Sequence, residues 1–311
     1  MADLHGSETV FRKLSNSAGF YNVSKVVVAG DLTGKLLIPV VESQGALSFK
    51  YYDETKTVDR RNFEGYAKQI RSMGHYYRIV SKEEYAELLS EPSNVRKAFL
   101  DAMIESLHDF FSLIRERFGS RGAQLYLISG NDDYPEVERF IKENDDQVIV
   151  DYEQKAVEFW DKTIIGLGYS NPTPWKTPRE LTEDEIFSRL KQILSGLDAR
   201  KTVLVVHVPP FNTLIDKAPK LKDFKPIVSG GQLEMVSVGS TAVRKTIEEF
   251  EPVVSLHGHI HESGGFDAVR GLSGANVHVY NPGSEYSSGI LRGVLLELRS
   301  DGSATHHFVR G

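Results

Sequence analysis

No cysteine occurs anywhere in the 311 residues. Disulfides, thiolate metal sites and cysteine nucleophiles are therefore excluded, and with them a secreted disulfide scaffold. No apolar run approaches the length of a membrane span. The first residues, Met1-Ala2-Asp3-Leu4-His5, lack the basic region and apolar core of a signal peptide, so the expected location is cytoplasmic. Positive charge is also short, since 37 Lys and Arg face 43 Asp and Glu for a net charge of −6. A non-specific nucleic-acid binder needs a basic face, so a nucleic-acid partner is disfavoured, while a locally positive site is still allowed. Repeats, low-complexity stretches and linkers are missing too. One domain over residues 1–311 is the simplest organisation, with a mainly helical insertion at about 60–120.

What the chain does contain is an alternation of strand-like and helix-like segments. Lys25 to Ala29 is a continuous β-branched run, the pattern of a strand covered on both faces. Leu36 to Val41 and Ala46 to Tyr52 read as a hairpin around Gly45, with Pro39 placing its first strand at a sheet edge. Helical spacing of Phe99, Met103, Leu107, Phe110 and Leu113 marks a long helix within Asn94 to Arg117. Ser81 with Glu84, and Thr182 with Glu185, are capping-box patterns that open helices. Strands are expected at Gln124 to Ile128, Lys162 to Leu167 and Thr202 to Val206, with helices at Ser7 to Ala18, Glu136 to Glu143 and Ser240 to Phe250. Val277 to Tyr280, Leu291 to Leu298 and Ala304 to Val309 complete a strand-rich tail.

Polar residues gather just after the apolar runs: Asp31, Asn131, His207 and the cluster His257, His259 and His261. Loops at the carboxyl ends of strands are where α/β folds build sites. In extended backbone alternate residues point the same way, so the three histidines can converge on one point. Imidazole is the commonest side-chain metal ligand. Taken singly, each of these residues also fits a satisfied polar loop. Taken jointly, several strand ends donating hard or borderline ligands match a polynuclear metal centre.

The ordered series ADLHG, AGDLTG, SGNDD, VVHVPP and HGHIH, spanning residues 2 to 261, resembles the motifs of the calcineurin-like metallophosphoesterase superfamily. The stretches SNPTPWKTPRE and NPGSEYSSG resemble a prokaryotic branch of predicted phosphoesterases. The resemblance implies an α/β fold with a two-sheet mixed β sandwich flanked by helices. It also implies a site for two divalent ions, Mn²⁺ first, with Fe, Co²⁺ or Zn²⁺ as alternatives. Asp3, His5 and His261 would hold one metal, Asn131, His207 and His259 the other, and Asp31 would bridge them. His257 matches no ligand position and reads as structural. The implied activity is hydrolysis of a phosphate ester by metal-activated water, a phosphodiester ahead of a monoester. The partner would be a small phosphate ester or a nucleotide.

The residue types suit that chemistry. Paired divalent ions clamp the attacking and leaving oxygens of an in-line displacement. Asp3 and Asp31 supply two negative charges against four positive, so the centre stays cationic toward an anionic ester. Oxygen and nitrogen ligands without thiolate suit the metals just named.

Two positions depart from the pattern. Where relatives often carry histidine after the metal-binding Asn, this chain has Asp132. It is expected to act as a general acid with a raised pKa, or else to be structural. Only Met1 and Ala2 precede Asp3, so either several residues are missing before Met1 or the central strand is short and Asp3 poorly anchored, and the first metal is expected to be weakly bound. Asn171, Trp175 and Arg179 follow a strand and are candidate substrate contacts, by stacking for the tryptophan and phosphate pairing for the arginine; a rigid surface loop with a packed tryptophan is the competing reading. A catalytically weak or inactive binding module of the same fold, and a nuclease, are the competing functions.

Overall fold

The computed structural model describes residues 1–299 and 304–311. It is a mixed α/β fold in which, among the described residues, seven helices accompany several sheets. In chain order, α1 (Glu8–Phe20) starts at Ser7, whose hydroxyl accepts from the Val10 N–H. Next come β1 (Lys25–Val28), β2 (Leu36–Ser43), β3 (Ala46–Tyr51), β4 (Glu54–Asp59), α2 (Arg60–Ser72), β5 (His75–Val80), α3 (Lys82–Ser90) and α4 (Pro92–Gly119). They are followed by β6 (Gln124–Leu127), α5 (Pro135–Glu143), β7 (Ile149–Asp151), β8 (Val157–Phe159), β9 (Lys162–Leu167), α6 (Glu183–Leu194) and β10 (Thr202–Val206). An arm of short antiparallel pieces leaves the body as β11 (Lys217–Pro219), β12 (Leu221–Lys222), β13 (Lys225–Pro226), β14 (Val228–Ser229), β15 (Gln232–Leu233) and β16 (Met235–Ser237). The chain returns through α7 (Thr241–Phe250), β17 (Val254–Leu256), β18 (Gly265–Arg270), β19 (Asn276–Asn281), β20 (Arg292–Leu298) and β21 (Ala304–Arg310).

Two sheets position the site. One has the order β1-β6-β7, all parallel. The other runs β18-β19-β17-β10-β9-β8, with β17 and β9 parallel to the central β10. Every residue of β10 is buried, as expected of a central strand with helices on one face and another sheet on the other. Ala29, Tyr126, Ile128 and Val150 meet Ile164, Val203, Val205, Val254 and Tyr280 in one apolar cluster between these sheets. Helices α1 and α4 pack Phe11, Leu14, Leu107 and Phe111 against Val26, Val28 and Leu125. Helices α6 and α7 pack Ile186, Leu190, Val243 and Ile247 against Leu204 and Val206. Because β1, β6, β10 and β17 run parallel to their neighbours, the loops that follow them open at strand carboxyl ends, where the polar motifs lie.

A separate sheet of order β4-β3-β2-β5 differs from the expected edge hairpin. The hairpin β2–β3 is present, turning at Gln44 and Gly45, both with positive φ. However, β2 pairs with β5 on its other side, and Pro39 lies in register with Arg78. Pro39 is tolerated because β3 pairs with β2 only from Val41 to Ser43, leaving the strand one-sided at the proline. Residues 60–120 are mostly helical, as α2, α3 and α4, with β5 between them. Among the described residues no helix is long and apolar enough to cross a membrane.

Candidate metal centre

Five loops converge. Residues 1–6 run beside the end of β1: the Asp3 N–H donates to Gly30 O at 3.0 Å, Leu4 and His5 N–H both donate to Asp31 O, and Gly6 N–H donates to Leu32 O. The poor anchoring expected of Asp3 is therefore corrected. Asp3 is 1% exposed, and its carboxylate accepts the His259 N–H at 3.0 Å, so backbone contacts rather than a long preceding strand hold it.

Asp31 Oδ2 lies 3.4 Å from His207 Nε2 and 3.6 Å from His5 Nε2. His5 Nε2 is 3.0 Å from His261 Nε2, which is 3.7 Å from Asp3 Oδ1. Asn131 Oδ1 is 2.9 Å from His207 Nε2. Three trios have atoms close enough to share an ion: Asp3 with His5 and His261, Asp3 with Asp31 and His207, and His5 with Asp31 and Asp132. Asp3, His5 and Asp31 each serve two trios. His259 joins none of the three, although its ring centroid is 5.3 Å from that of His207.

The donor set itself fits a cation. His207 Nδ1 faces Ala29 O at 2.6 Å, which makes Nδ1 the N–H and leaves Nε2 as a lone pair in the neutral ring. That lone pair would then face Asp31 Oδ2 and Asn131 Oδ1, three acceptors with no donor among them. Only a proton or a metal reconciles them. Without metal the proton wins: burial opposes it, but Asp31 and Asp3 drive His207 up to about 9. Burial pushes Asp31 up, yet the charge and hydrogen bond of His207, with the charge of Lys35 behind them, prevail and hold it well below its usual range. His5 and His259 are pushed down to about 3 and about 4 by burial, so both are neutral ligands at ordinary pH.

The second layer is as fixed as the first. Asn131 donates its amide to Thr177 Oγ1 at 2.9 Å, which aims Oδ1 at His207. Thr177 in turn donates to Glu180. Asp133 is fully buried, accepting from Leu32, Thr33 and Gly130 N–H and so tying the loop after β1 to the loop after β6. Its role went unread in the sequence, although its place in SGNDD beside two ligand loops was a usable signal. His257 matches its structural reading: Nδ1 sits 2.8 Å from Val206 O and 3.1 Å from Val208 O, bracing the end of β10.

Asp132 lies at the mouth, its side chain 17% exposed, with Oδ2 4.0 Å from His5 Nδ1 and paired to Lys35. Burial and Asp31 raise its pKa to about 6 against the lowering effect of Lys35. Of the three proposed substrate contacts, Arg179 is corrected. It is 2% exposed, pairs with Glu153 at 3.0 Å and with Glu138, and stacks over Tyr169, so its two terminal nitrogens are engaged inside the fold and only the buried Nε is without a partner. Its backbone N–H, donated to Asn131 O, is what reaches the centre. Asn171 Nδ2 is turned toward Val238 O and Gly239 O. Trp175 is 65% exposed on the same loop and is not packed, contrary to the rigid-loop alternative.

No family model matches this sequence. The uncharacterized protein MJ1162 of Methanocaldococcus jannaschii is 34% identical over 162 residues, 51% of this chain. That match spans 63% of the relative, less than two thirds of its length. One crystal structure aligns with a TM-score of 0.58 at 17% identity, covering 99% of this chain and 96% of its own. The crystal structure of TT1561 of Thermus thermophilus aligns over the same shares with a TM-score of 0.52 at 14% identity. At such identities the similarity concerns the fold, and the site must speak for its own chemistry.

Proposed function

We propose that the protein hydrolyses a phosphate ester at a two-metal centre of the calcineurin-like kind, a phosphodiester ahead of a monoester. The observation that carries this reading is Asp31, one carboxylate facing His207 on one side and His5 on the other. That is the placement a bridging ligand requires. On this reading Asp3, His5 and His261 hold one ion, Asn131, His207 and His259 the other, and Asp31 both; Mn²⁺ is the first choice of metal. The apolar cluster shared by the two main sheets and the helices outside each favour the sandwich that such enzymes use.

When bound, two divalent ions supply Lewis acidity, neutralise charge on the phosphoryl oxygens and acidify water. The chain does the rest. Asp31 would be shared between the ions, Ala29 O holds the His207 tautomer, and Thr177 holds the Asn131 amide with its oxygen inward. Asp132, poised near neutrality at the open side, donates a proton to the leaving oxygen. Its replacement by asparagine is expected to remove one limb of the pH–rate profile; a profile of unchanged shape would make Asp132 structural.

The direct test is metal analysis combined with hydrolysis of bis-p-nitrophenyl phosphate in added Mn²⁺. Turnover that disappears in Asp31→Asn supports the reading. Bound metal without turnover of any monoester, cyclic nucleotide or dinucleotide would favour the second reading, a binding module. The motivation for that reading is Asp132 tied to a lysine where relatives often carry histidine.

A further inference from the structure

Lys35 is the one strongly placed cation at this centre that the ligand scheme does not use. Its ammonium lies on Asp132 Oδ2, and Asp132 in turn donates its backbone N–H to Asp31 Oδ1 at 3.0 Å. The positive charge thus stands next to the bridging carboxylate, on the open side, with the Lys35 side chain 49% exposed. Its charge is felt by Asp31, His5, His261 and Tyr286.

The backbone that launches Lys35 is rigid. The Gly34 N–H donates to Tyr76 Oη at 2.8 Å, and a Cβ at Gly34 would meet Gly74 O at 1.9 Å. Gly74 is itself pressed on His5 O, where a Cβ would approach to 2.0 Å. The lysine is therefore registered to the same backbone layer that carries a metal ligand. Above that layer the side chain is a flexible four-carbon stem with three donors. One donor is engaged by Asp132, and among the described residues no other acceptor takes the remaining two.

We propose that Lys35 is the phosphate-gripping residue of this site, reaching from Asp132 to a non-bridging oxygen of the substrate's phosphoryl group, with Asp132 as its resting point and positioning partner. The inference rests on the phosphoesterase reading. It deepens that reading by assigning recognition of the phosphoryl group to a residue of the loop between β1 and β2. A protein-borne cation there adds to the positive charge of the centre at the one face left open, and an ammonium is a mobile point charge suited to an oxygen that moves during displacement.

Phosphate binding can be measured without turnover, which separates the two claims. Inorganic phosphate and tungstate would be titrated calorimetrically into the Mn²⁺-loaded protein, as wild type, Lys35→Met, Lys35→Arg and Asp132→Asn, with metal content and thermal melting as controls. Lys35→Met is expected to weaken phosphate binding about tenfold or more, the scale of one lost charge-assisted hydrogen bond, with metal content unchanged. Lys35→Arg should recover part of it, and KM for the ester should move more than kcat. Asp132→Asn, which frees the ammonium, should hold or raise phosphate affinity. Equal losses in Lys35→Met and Asp132→Asn would overturn the proposal in favour of a lysine that merely supports Asp132. Unchanged affinity in Lys35→Met, with ester turnover intact, would overturn the lysine assignment and leave the phosphoesterase reading standing. A wild type that binds no phosphate and turns over no ester would remove both.

Discussion

His207 in the metal-free protein holds a proton where the metal would sit, and that exchange can be measured. Its folded pKa of about 9 exceeds the unfolded value of 6.5. The stability it contributes is therefore fully present below pH 6.5 and is lost as pH rises through about 9. A shift of that size corresponds to at most about 3 kcal/mol, so the melting temperature of chelated protein should fall across that window. Metal binding must expel the same proton. Calorimetry in buffers of different ionisation enthalpy should show proton release at pH 7 that fades above pH 9 and is reduced in His207→Asn, where only His261 still holds a proton to be expelled. Asp133 offers a second prediction. Asp133→Ala strands three buried backbone donors, and a loss of roughly 2–4 kcal/mol in urea unfolding is expected, with metal affinity falling as the two ligand loops part.

The loop from Ser170 to Leu181, hydrogen-bonded to itself at both ends, acts as a brace. Burial drives the Glu153 carboxyl up to about 7 despite Arg179, while the same contact raises the guanidinium. The 3.0 Å geometry with Glu138 alongside argues for a genuine ion pair. Arg179→Met should cost roughly 3–5 kcal/mol at pH 8 by leaving Glu153 charged and buried. At pH 5 the loss should be smaller, because the carboxyl can protonate, and KM for an ester should hold at temperatures where the variant is folded. A raised KM without destabilisation would restore Arg179 as a substrate contact.

Elements with a strong period or a cap were legible in the sequence: the buried run of β10, both capping boxes, and the stripe of α4 all stand where expected. β4 was not, because ETKTVD is polar and gains order only by pairing with β3. The two-residue strands of the arm carry no period at all. The polar residues that the structure gathers at this centre were legible as motifs at strand ends. The side on which Arg179 would lie was not, since a prolyl loop gives no alternation from which to infer which side chains turn inward.

For the molecule as a whole, the centre links loops that otherwise belong to two different sheets, one through Asp31 and Asn131, the other through His207 and the 257–261 loop. Metal should therefore stabilise the whole fold. At a free concentration 100 times the dissociation constant, each ion adds about 2.7 kcal/mol, a rise of roughly 4 °C per ion for a chain of this size. Melting with Mn²⁺ and with chelator measures it, and equal melting temperatures would mean that no metal is held.

Four of the seven proposed ligands, Asp3, His5, Asp31 and His259, have φ of 56°, 45°, 54° and 68°. For residues with a Cβ this left-handed region costs on the order of 1 kcal/mol each, and glycine enters it freely. Selection of the metal-free protein for thermal stability alone would thus favour glycine at His5 and His259, while Asp3 and Asp31 are kept by the His259 and Asp132 N–H groups they accept and by their pairing with His207. Laboratory selection of the apo protein for heat resistance should find glycine at those two positions first.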